Sequence, residues 1–181
     1  MQTFKKQNLN FLEILFTKYL IVNPTYVFLW YALVDKREDI AHYNTLASIK
    51  SMKGIAMEKY HAMEHHYPSR MDWINKYGYD PKQLHHLLRV EEYIERYING
   101  ESYKNCLISK KADYLKLVKS GLHSLENARW LANCAMDHIK AMCDKFIKSN
   151  EHKINQEIEE LLDSIQYNIM STAIKKEFGI I

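Results

Sequence analysis

Apolar residues recur along this chain three and four positions apart, and short polar or proline-containing breaks cut the pattern into about seven helical segments. Leu9, Leu12, Leu15 or Phe16, and Tyr19 make the first; Pro24 opens a second that runs through Trp30 to about residue 34. After the polar linker DKRED, a stripe of Ile40, Tyr43, Ala47, Met52, Ala56 and Met63 predicts a long helix over 40–66, ended by Pro68. Residues 69–79 read as a short connection carrying Trp73. Asp80 as N-cap, Pro81 at the first helical position and Gln83 three residues after the cap predict a helix over 81–98, stopped by Asn99 and Gly100. Residues 101–123 have the weakest pattern, with KKADYLKLVKSG predicting a short helix that ends at Gly121. Ser124 caps a long helix with Ala128, Ala132, Ala135 and Ile139 on its apolar stripe, and a last helix is predicted over 151–176 with Ile158, Leu162, Ile165 and Ile169 inward. No repeat, low-complexity tract or long linker intervenes, so the expectation is a single compact all-α domain over residues 1–181.

Composition narrows this picture without changing it. Five Gly and three Pro leave little turn chemistry for a β-sandwich, and 47% hydrophobic with 26% charged residues fits a globular chain long enough for a real core. A formal net charge of +3 permits an anionic partner without demanding one. Cys106, Cys134 and Cys143 form no CxxC pair and are odd in number, which suits free thiols of a cytoplasmic protein. The most apolar stretch, YLIVNPTYVFLWYALV, is short for a membrane span and is broken by Asn23 and Pro24, while Glu13 and Lys18 interrupt any signal-peptide core; no membrane partner is expected.

The helix over 81–98 carries the leading candidate chemistry. At about 100° per residue, Lys82, His86, Arg89 and Tyr93 fall within roughly 60° of arc, with Leu84, Leu87 and Ile94 on the other side. A cationic front at a helix N-terminus suits a phosphate or carboxylate, and it equally describes an ordinary solvated face. His61 and His65 stand four apart without a third ligand at recognisable spacing, so no metal site is assigned. Arg37 and His42 satisfy the Arg-x4-His spacing of HEPN-type ribonucleases. No glycine is followed by Ser, and no Asp begins an Asp-x-Asp or Asp-x-Glu pair.

The stretch YGYDPKQLHHLLRVEEYIERYINGE resembles a signature, approximately Gly-Tyr-Asp-Thr-Lys-His-Ala-x-His-Leu-x-Arg, of a family of predicted polymerase-beta-like nucleotidyltransferases, some associated with RNA repair. Gly78, Tyr79, Asp80, Lys82, His86, Leu87 and Arg89 stand at matching positions, whereas Pro81, Gln83 and Leu84 depart from it. NLNFLEILF, SIKSMKGIAMEKY and DYLKLVKSGLHSLENA are similar to further blocks of the family in the same order. The resemblance covers only the family's helical C-terminal half. It implies a phosphate- or nucleotide-binding role for Lys82, His86 and Arg89 with Tyr79 and Asp80, and RNA or nucleotide as partner. The Gly-Ser and paired acids that hold Mg²⁺ on a nucleoside triphosphate belong to the family's palm, so no cofactor is expected for this chain alone; the resemblance implies either a chain that acts beside a separately encoded palm, with Mg²⁺ and a nucleoside triphosphate held there, or a derived binding module. Two alternatives stay open: a stand-alone helical interaction protein, such as a phage or mobile-element adaptor or inhibitor, and a HEPN-like ribonuclease.

Overall fold

Pro24 opens the first helix described in the computed structural model, which covers residues 24–151 and 153–179. Helix accounts for 79% of it and no strand occurs among the described residues, so the fold class is all-α, as the periodicity predicts; nine helices are described, seven of them at least seven residues long. The segment of Leu9 to Tyr19 lies outside the described residues. The chain groups into two compact units, the described residues up to Asn44 together with those from Lys153 onward, and Thr45–His152.

The first unit holds α1 (Pro24–Asp35), α2 (Arg37–His42) and α9 (Gln156–Glu177). The helix expected over 40–66 does not run through: α2 ends at His42 and a new helix starts at Thr45. Between them the Tyr43 carbonyl accepts the Asn155 N–H at 3.0 Å, a long-range bond that takes the place of a helical one. The Asn155 side chain caps α9 by accepting from the Ile158 N–H. That cap explains why the last helix begins five residues later than expected; Asn150 is already extended at φ −122° and ψ 133°.

The second unit comprises α3 (Thr45–Ala62), α4 (Met71–Tyr77), α5 (Pro81–Ile98), α6 (Tyr103–Cys106), α7 (Ala112–Lys119) and α8 (Leu125–Ser149). Helix α5 lies at its centre, packed against α3, α7 and α8. Leu84, Leu87 and Ile94 of α5 meet Ile49 and Ala56 of α3 and the alanines Ala128, Ala132 and Ala135 of α8 in one core, the small residues allowing close helix approach. The connection expected over 69–79 contains a 3-10 turn, Pro68–Arg70, and the helix α4. Gly78 ends α4 in the left-handed region at φ 78°, its N–H bonded to the Ile74 carbonyl at 2.7 Å, a conformation that glycine adopts without Cβ strain.

Candidate functional site

The Gly-Tyr-Asp stretch ties together the segments around the start of α5. The Asp80 carboxylate caps the helix by accepting from the Lys82 N–H at 2.9 Å and also pairs with Arg70 at 2.7 Å, while the Asp80 N–H donates to the Met63 carbonyl. Tyr79 is buried and its hydroxyl donates to the His123 carbonyl at 3.0 Å. Both residues are therefore engaged in holding α3, the Pro68 turn and the approach to α8 around this helix. Neither presents its polar group to solvent.

Arg89 departs most from the sequence expectation. Spacing puts it on a charged, solvated front, yet it is 6% exposed, and Glu92 and Arg96, one turn and two turns on, are 5% and 8% exposed. These three occupy roughly 60° of the helix circumference, and the segment carrying α6 covers that arc. Arg89 donates to the Cys106 carbonyl at 2.7 Å; Arg96 donates to the carbonyls of Asn105 and Ile108 and is bonded to Glu101. Glu92 accepts from Ser109 Oγ and the Lys110 N–H, and lies 3.6 Å from Arg89 and 3.4 Å from Arg96. Helix α5 is thus buried on two sides, by apolar packing on one and by an ion-pair and carbonyl network on the other. Arg89 anchors the chain that crosses it and is not available as an exposed phosphate ligand.

Lys82, His85 and His86 remain at the mouth of the helix. Lys82 is partly exposed and has no ion pair to a described residue. The His85 and His86 rings stand edge to face, with centroids 5.0 Å apart. Burial pushes His86 down to about 3, helped by the positive fields of His85, Lys82 and Lys59, and pushes His85 down to about 4, helped by Lys119, Arg89 and Lys82. Both imidazoles are neutral at neutral pH, so the expected switch of His86 near its unperturbed value of about 6.5 does not operate. His85 Nδ1 and Gln83 Oε1 are buried atoms without hydrogen-bond partners.

This arrangement predicts an early loss of stability in acid. Histidines whose folded-state pKa is depressed bind fewer protons folded than unfolded, so between about 6.5 and the folded values stability falls as pH falls. The Glu101 carboxylate, held down at about 2 by the Arg96 hydrogen bond, adds a second loss only below about 4.5. Urea titrations from pH 7 to pH 5 are expected to show declining stability, and a His85→Gln/His86→Gln protein a flatter profile. An unchanged profile in that variant would assign the loss elsewhere.

Arg37 and His42 are both engaged locally. Arg37 Nη1 donates to the Val34 carbonyl at 2.9 Å, and His42 Nδ1 lies 2.8 Å from the Glu38 carbonyl. Among the described residues no three His, Cys, Asp or Glu side chains gather as a metal-holding group. Of the three cysteines, Cys134 is exposed and Cys106 and Cys143 are buried, and no disulfide joins them. No helix among the described residues is long and apolar enough to cross a membrane. The Glu92 network had a sequence signal in the 89, 92 and 96 spacing, which allows ion pairs along one helix face; nothing in that spacing says that another segment covers them. No protein-family model, curated protein or solved structure matches the chain.

Proposed function

We propose that this chain is the helical, nucleotide- or nucleic-acid-binding half of a nucleotidyltransferase-like protein. In this reading it works in the cytoplasm beside a separately encoded palm, or as a derived binding module, and does not transfer nucleotides alone. The observation that carries the reading is the start of α5, where the partly exposed Lys82 has no ion pair to a described residue and the neighbouring His85 Nδ1 is buried without a partner. A buried ring nitrogen without a partner is costly unless a ligand or water meets it, and an unpaired lysine ammonium suits a phosphate. Mg²⁺ and a nucleoside triphosphate would be held by the paired acids of the palm, for which this chain has no Asp-x-Asp or Asp-x-Glu.

The test is binding of ATP and of a single-stranded RNA to the full chain. A charge-assisted contact to phosphate is worth about 1.5 to 3 kcal/mol, so Lys82→Ala is expected to weaken binding about tenfold to a hundredfold, less at high salt, with thermal stability nearly unchanged. Because both histidines are already neutral, affinity is expected to stay flat between about pH 6 and pH 8. With Mg²⁺ or Mn²⁺ and labelled nucleoside triphosphates, the chain alone is expected to label neither RNA nor protein. Absence of binding at millimolar ligand, or a Lys82→Ala protein that mainly unfolds, would overturn the reading.

A second reading, the stand-alone interaction protein, is favoured by Trp130, which projects from α8 with 63% of its surface exposed. Large exposed aromatics are characteristic of protein contact sites.

A further inference from the structure

Outside the α5 mouth, the second unit carries an ordered aromatic surface at α4 and the turn after α7. Trp73 and Tyr77, one helical turn apart, stack with ring centroids 5.8 Å apart and planes at 16°. Tyr77 is fixed from behind: its hydroxyl donates to the Ser120 carbonyl at 3.1 Å, and its ring lies so close over Gly121 that a Cβ there would come within 2.3 Å of it. Gly121 at φ 90° supplies the turn that allows this approach. Trp73 is held by the stack yet 40% exposed.

The charge around these rings is mainly positive. Lys76 Nζ lies 4.8 Å from the Tyr77 ring centroid, and Lys119 directly precedes the serine that Tyr77 contacts. Lys119 is the last residue of α7, which packs against α5. On α7, Asp113 is paired with Lys116 at 2.8 Å, and Asp72 is the one acid of α4.

A rigid, part-exposed aromatic pair edged by lysines matches the requirements of single-stranded nucleic acid. Every base has a face to stack, and its backbone carries the complementary charge. We propose that this surface binds single-stranded nucleic acid, with a base stacked on Trp73 and the phosphates passing Lys76 and Lys119. A duplex hides its base faces and offers only phosphates, so the surface discriminates in favour of single strands. The inference rests on the nucleic-acid-binding reading above and adds to it the ligand class and a second set of residues.

The experiment measures binding of a twelve-nucleotide oligouridylate, the same strand in duplex with oligoadenylate, and ATP to the full chain, at low and moderate salt. The single strand is expected to bind better than the duplex. Trp73→Ala is expected to weaken single-strand binding about tenfold or more, Trp73→Phe to retain most of it, and Lys119→Ala to reduce the salt dependence. Circular dichroism and a melting curve check that each variant is folded, and Trp73→Leu, which keeps apolar bulk and has no ring to stack, takes the place of Trp73→Ala if that variant is not. Equal single-strand affinity in folded Trp73→Ala and wild type would overturn the proposal, as would a preference for duplex or no binding of the single strand. Self-association that Trp73→Ala abolishes, without RNA binding, would assign the surface to protein contact and equally overturn it. ATP binding that depends on Lys82, with no effect of Trp73, leaves the α5 mouth standing and removes only the platform. Binding that depends on Trp73 and not on Lys82 does the reverse.

Discussion

Glu92→Ala is expected to destabilise the protein by about 3 to 5 kcal/mol, the range for removing one member of a buried ion pair. The carboxylate lies between Arg89 and Arg96 and accepts from Ser109 and the Lys110 N–H. Its loss leaves two guanidinium groups, each under a tenth exposed, without their shared counter-charge. It also frees the segment that carries α6, whose carbonyls at Asn105, Cys106 and Ile108 are bound by the same arginines. Urea unfolding measures the loss, and hydrogen exchange over residues 101–111 is expected to rise more than exchange over α8. Arg89→Ala is expected to be destabilising as well, because Arg89 is buried rather than on the solvated front that the spacing suggests. A Glu92→Ala protein within about 1 kcal/mol of wild type would mean that the network is solvated and carries little stability.

Leu87→Ala, on the opposite side of α5, is expected to cost about 2 to 5 kcal/mol through lost burial and the cavity left behind. Leu87 is fully buried in the core that α5 shares with α3 and α8. In contrast to Glu92→Ala, the effect is expected to spread over the whole second unit, because α3, α5 and α8 supply most of this core. The remaining folded protein is expected to bind nucleotide as wild type does, since Leu87 faces away from Lys82 by roughly 140° around the helix. A selective loss of ligand affinity without loss of stability would contradict this division of α5 into two buried sides.

The sequence by itself determined the helical class and most helix positions of the second unit. Its signals there are local: Asp80 and Ser124 as caps, Pro81 at the first helical position, Gly78 and Gly121 where the chain must turn, and apolar residues at the period of one helix face. Tertiary structure decided whatever depended on a distant segment. Tyr43 gives its carbonyl to Asn155, and so the predicted long helix is two; α4 is a helix where only a connection was legible. The candidate site divided in the same way. Periodicity assigned Lys82, His86 and Arg89 to one stripe, because it reports angle around a helix and carries no information on what covers that angle. The α6 segment covers Arg89 with the Cys106 carbonyl, the residues after it cover Glu92 with the Ser109 hydroxyl and the Lys110 N–H, and burial keeps both His85 and His86 neutral. The stacking of Trp73 on Tyr77 needed only their spacing of one turn, but the backing of Tyr77 by Gly121 required a chain 44 residues further on to return beneath the ring, which no local pattern specifies.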